Sequence, residues 1–121
     1  MRSMDIEING ETHTLAIDWK ASDAIAKNVF DPLLLVQEFN LVERMTAAGI
    51  AYKPRFEFGT AEIVKVLFYG IRAAGGKLTV DEVGDGIIQD GVVTHYQNAV
   101  NYIIAFSTPT SAEVKGGSAG K

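Results

Sequence analysis

The chain has 121 residues, 47% of them hydrophobic and 21% charged, with 11 basic against 15 acidic side chains and a formal charge of −4. That length suits one domain with its own core, and the acidic balance excludes a general binder of nucleic acid or anionic membrane, whose contacts need a basic surplus. With no cysteine, disulfides, thiolate metal sites and a cysteine nucleophile are excluded as well.

The chain begins with a hairpin signal. Asn9-Gly10 stands between Ile6, Ile8 and the run Thr12 to Ala16, and both central residues of a type I′ turn need positive φ. Strands are expected over 5–8 and 11–18, with Leu15, Ile17 and Trp19 on one face. A lone hairpin is marginal in water and must lie on something. A short helix is expected over 22–28, capped by Ser22 or Asp23. The first long helix is expected over 31–48, with Asp31 as N-cap, Pro32 at the first helical position and Gly49 just past its end. Glu38 intrudes on its apolar side, which suggests a face that is not uniformly buried. Residues 51–58 read as extended, because Pro54 opposes a helix; an edge strand or a crossing segment both fit.

Residues 60–74 form the clearest helix, capped by Thr60 and stopped by Gly75-Gly76, with Ile63, Val66, Leu67, Gly70, Ile71 and Ala74 at helical spacing. Residues 79–89 open with a capping box, Thr79 and Glu82. Gly84 and Gly86 weaken that helix by about 1 kcal/mol each relative to alanine, so it is expected to be short or frayed. A last helix is expected over 92–106, ended by Thr108-Pro109-Thr110. Together these elements predict one mainly helical α+β domain over 1–106, an N-terminal β-hairpin packed on about four α-helices, with a flexible tail over 107–121. No apolar run reaches the roughly 18 residues of a membrane span. Residues 1–5 lack the apolar stretch of a signal peptide, so a cytoplasmic location is the expectation.

No assembled chemistry stands out. His13 reads as a surface strand residue and His95 as a capping or surface residue. Asp81, Glu82, Asp85 and Asp90 lack the spacing of a calcium loop and read as favourable charge near a helix N-terminus. Residues 70–76 follow a helix rather than a strand and lack the lysine–serine pair of a phosphate loop. Lys53, Arg55, Phe56 and Phe58 form a faint basic–aromatic stretch that reads better as a strand in the core. No catalytic residue, cofactor-binding residue or metal ligand is therefore assigned, and an enzyme is not expected.

What remains is an apolar surplus. Mean hydropathy is +0.10, high for a small domain with so much surface. On helix 60–74 the apolar arc spans roughly 200°, where one core contact needs about 100°. Either the hairpin packs on the extra face or another chain does. On the second reading Val64, Phe68, Tyr69 and Ile71 are the partner-binding residues.

The order of elements carries a resemblance. Short strands around Asn9-Gly10 precede helices; then come Phe68-Tyr69-Gly70-Ile71-Arg72-Ala73-Ala74-Gly75-Gly76, Lys77-Leu78-Thr79-Val80-Asp81-Glu82-Val83-Gly84, and a closing helix with Tyr96, Ala99, Val100 and Ile103. This resembles the tail assembly chaperones of long-tailed phages and gene transfer agents, most densely over 60–106. The resemblance implies a non-enzymatic, cofactor-free protein of the host cytoplasm that binds the long helical tape measure protein, or another tail protein, until tube subunits polymerise around it. It also implies a longer product made by frameshifting near the C-terminus. Self-association is expected, since the same apolar surface can serve a second copy. The alternative is a structural tail subunit, of the tube or connector, that stays in the particle.

Overall fold

The computed structural model describes residues 2–55 and 57–109. The expected tail from residue 110 onward, and Phe56, lie outside them. The fold is α+β and mainly helical. The antiparallel strands β1 (Ser3–Ile8) and β2 (Glu11–Ala16) precede five helices: α1 (Trp19–Asn28), α2 (Pro32–Ala47), α3 (Thr60–Ala73), α4 (Val80–Asp90) and α5 (Val92–Phe106).

The hairpin forms as its turn chemistry dictates. Asn9 has φ 53° and Gly10 φ 83°, and the register pairs Ile8 with Glu11 and Met4 with Leu15. The second strand is two residues shorter than expected. Asp18 is drawn out of it to cap α1, its Oδ1 accepting from the Ala21 amide at 2.9 Å. Leu15 and Ile17 are buried, but Trp19 opens the helix and is 77% exposed. The helix anticipated over 22–28 thus begins three residues earlier, and among the described residues helices number five rather than about four.

Helix α3 is the centre of the fold. It packs against β2, α1, α4 and α5, whereas α2 rests mainly on α5 and slightly on α1. Ile63, Val66, Leu67, Phe68 and Ile71 on α3 meet Leu15, Ile25, Val83, Ile87, Tyr102 and Ile103 in one core. Its N-cap is Gly59 rather than Thr60, with Glu62 reaching back to the Gly59 amide at 2.8 Å. Two close approaches set the packing. At Gly70 a Cβ would lie 2.6 Å from the Tyr102 hydroxyl oxygen, and at Gly86 one would lie 2.4 Å from Ile8 Cγ2.

Helix α4 is not short or frayed. The Thr79–Glu82 capping box forms in both directions, at 3.1 and 2.8 Å. Gly86 is where the hairpin presses on the helix, while Gly84 has only ordinary contact with Val64 at 3.6 Å. The two glycines therefore respond oppositely to alanine. Gly84→Ala raises stability by about 0.5–1 kcal/mol through helix propensity, and Gly86→Ala lowers it by about 1–3 kcal/mol through overpacking. Urea unfolding of the two variants checks the contrast.

Candidate functional site

An apolar recess open at the surface lies between α2, α5 and the strap joining α2 to α3. It has a volume of about 370 Å³, and Leu35, Phe39, Val42, Pro54, Phe58 and Tyr96 line it with Glu38 and Glu43. The strap runs from Gly49 (φ 74°), where the Ile50 amide reaches back to the Met45 carbonyl at 2.9 Å and ends α2. Its described residues form neither helix nor strand, so of the two readings of 51–58 the crossing segment is the one observed.

Two anchors hold the strap across α2. One is Glu38, which is 2% exposed. Its carboxylate accepts from the Tyr52 hydroxyl at 2.9 and 3.0 Å, from the Arg55 amide at 2.8 Å and from Arg55 Nε at 2.9 Å. The intrusion of Glu38 on the apolar side thus marks a buried, paired carboxylate and not an open face. The Arg55 amide bond, helped by Tyr52 and the guanidinium, holds the Glu38 carboxyl below its ordinary range against the opposing effect of burial. Burial, then the bond to Glu38, pushes the Tyr52 phenol up. The other anchor is Phe58, whose ring lies 5.6 Å from Phe30, 6.0 Å from Phe39 and 5.6 Å from Tyr96 in tilted or edge-on geometry.

The two helices beside the recess differ in charge, for α2 exposes Glu43 and Arg44. Helix α5 contains no Asp, Glu, Lys or Arg in 15 residues, and its outer side exposes Val93, Tyr96 and Ile104. On α2, Leu33 and Leu34 are exposed, while Phe39, Leu41, Val42 and Met45 are only half-buried. The polar residues that α5 exposes, Thr94, Gln97 and Asn101, are uncharged. Scattered exposed hydrophobics are ordinary, but depletion of charge around an apolar recess is the compositional mark of an interface.

The four residues predicted to bind a partner separate. Ile71, 1% exposed, belongs to the core, and Phe68, 7% exposed, is nearly enclosed; neither lies on an open face. The hairpin packs on α3, so the covering element is internal. Val64 and Tyr69 are half-buried. Val64 lines a shallow cleft between α3 and α4 with Val80 and Ile88. Phe68 and Tyr69 each reach the wall of a hollow at the C-terminal end of α3.

The histidines also differ from expectation. His13 is half-buried on β2, its Nε2 3.7 Å from Glu11. His95 is fully buried rather than a surface or capping residue. Its Nε2 lies 2.7 Å from Asp90 Oδ2 and its Nδ1 3.1 Å from Asn98 Nδ2. Asp90 also accepts the Asn9 amide at 2.8 Å. The His95 bond, then the Asn9 amide, holds the Asp90 carboxyl low. With Asn9, these residues form a structural tie between the hairpin turn and α5. Among the described residues, no three His, Asp or Glu side chains gather to hold a metal ion, and no helix is long and apolar enough to cross a membrane.

Comparison with known protein families, characterised proteins and solved structures returns no match.

Proposed function

We propose that the chain is a non-enzymatic binding protein that shelters a helical client on the face where the recess between α2 and α5 opens, and that within this class it is a tail assembly chaperone acting on a tape measure protein in the host cytoplasm. The observation that carries the reading is the union of a charge-free α5 with an apolar recess ringed by Phe39, Val42, Phe58 and Tyr96. A recess of this shape suits the apolar stripe of an amphipathic helix, which inserts side chains at i, i+3 and i+4. Affinity follows from apolar burial at about 25 cal/mol per Å², less the costs of association. The family-level part rests on the resemblance in element order. The helical make-up supports a chaperone over a tube subunit, since tube proteins are β-rich. A second copy of the chain competes for the same face.

The test is co-expression with a tape measure protein. The expected result is a soluble complex with the wild-type chain and none with Tyr96→Glu, whose circular dichroism stays helical because Tyr96 is 42% exposed. Separate elution of wild type and client, or undiminished capture by the variant, would refute the proposal.

A further inference from the structure

A second surface, remote in chemistry from the α2–α5 recess, lies where α3 ends. The Gly76 amide bonds to the Ile71 carbonyl at 2.9 Å and the Gly75 amide to the Arg72 carbonyl at 3.0 Å, with Gly75 at φ 94°. This Schellman closure folds the loop tightly onto α3; a Cβ on Gly76 would stand 2.4 Å from Ile71 Cγ2. The reversal brings Lys77 beside Arg72. Two hollows of about 540 and 480 Å³ share Arg72, Gly76 and Lys77, and Lys20 of α1 lines the second.

The charge there is one-sided. No Asp or Glu lines either hollow, and among the described residues no carboxylate pairs with Lys20, Arg72 or Lys77. The nearby acids are turned elsewhere. Glu82 caps the Thr79 amide, and Asp81 lines the cleft on the other side of α4. The negative end of α3 offsets only about half an elementary charge, against three cations. The first hollow has apolar walls, Phe68, Leu78 and Val80, and the Arg72 guanidinium stands 5.7 Å from the Phe68 ring centroid.

We infer that this cleft docks an acidic segment of a protein partner, with carboxylates on the Lys20–Arg72–Lys77 rim and apolar side chains against Leu78 and Val80. A bidentate Arg–carboxylate contact on a half-apolar surface fits such a segment. A nucleic acid fits less well, because the Phe68 ring is already under Arg72 and offers no open face for base stacking. The inference is independent of the client reading.

The experiment titrates the full chain into a fluorescein-labelled amphipathic peptide of Glu, Leu and Ala, read by anisotropy at low salt. Replacing every Glu of the peptide by Gln weakens binding by about tenfold or more, as does the pair Arg72→Glu and Lys77→Glu. Both sites are exposed, so thermal melts of the variant stay two-state. Tyr96→Glu binds the peptide as wild type does. Equal binding of the Gln peptide or of the charge-reversed chain overturns the proposal. So does a loss confined to Tyr96→Glu, which would place the peptide in the α2–α5 recess, or displacement by inorganic phosphate, which would make the cleft a simple anion site.

Discussion

Gly70→Ala destabilises the domain by about 3 kcal/mol, at the upper end of what one added methyl costs in a packed interior. The methyl would meet three atoms of Tyr102 at 2.6, 2.8 and 2.9 Å. Tyr102 cannot easily yield. It is fully buried, its hydroxyl donates to the Ala16 carbonyl at 2.6 Å, and its ring packs 4.9 Å from Phe106. Burial holds its phenol well above the usual tyrosine range. Relief of the clash must therefore separate α3 from α5 or break the bond to β2. Denaturant unfolding measures the loss. A variant within about 0.5 kcal/mol of wild type would show that the contact relaxes freely and is not a constraint on the packing.

The second large effect is acid release of the strap. Glu38 and Asp90 both have folded-state pKa values below their ordinary ones. Such groups add stability that is complete above the unfolded pKa, near 4, and is lost as pH falls through the lowered value. The contribution of these two carboxylates is therefore flat from pH 7 down to about 5 and declines below that. Protonated Glu38 can no longer accept from Tyr52 and both Arg55 donors as a carboxylate does, so the strap loses one of its two anchors. Glu38→Gln imposes much of this at neutral pH. Amide exchange in the strap quickens, the wall of the recess supplied by Pro54 and Phe58 loosens, and the acid limb of the melting profile becomes shallower. Identical acid limbs for the variant and wild type would remove Glu38 from the account.

The legible parts of the fold are those governed by neighbours in sequence. Asn9-Gly10, the Asp31-Pro32 start of α2 and the Thr79–Glu82 box each specify their element within four residues, and each stands where it was read. Asp18 shows the limit of that locality: it has the alternation of a strand residue, yet its side chain is worth more as a cap for α1. Glu38 was illegible for another reason. Its partners lie 14 and 17 residues further on, in a segment with no periodicity of its own. His95 likewise reads as polar until Asp90 and Asn98 are seen to enclose it.

The candidate site was half legible. The widest apolar stripe in the sequence is on α3, and the hairpin, α1, α4 and α5 pack against that helix. The better signal was compositional: fifteen residues of α5 without one full charge. Width of an apolar arc says how much a helix buries; absence of charge on the remaining arc says what it leaves for others.

The bonds from Asn9 to Asp90 and from Tyr102 to Ala16 span 81 and 86 residues. Synthesis runs from the N-terminus, so the hairpin is finished long before the residues that fasten it exist. Ile8 and Leu15 must wait, uncovered, through most of translation. Any slowing of elongation ahead of α5 lengthens the interval in which the nascent chain can pair with the wrong strand.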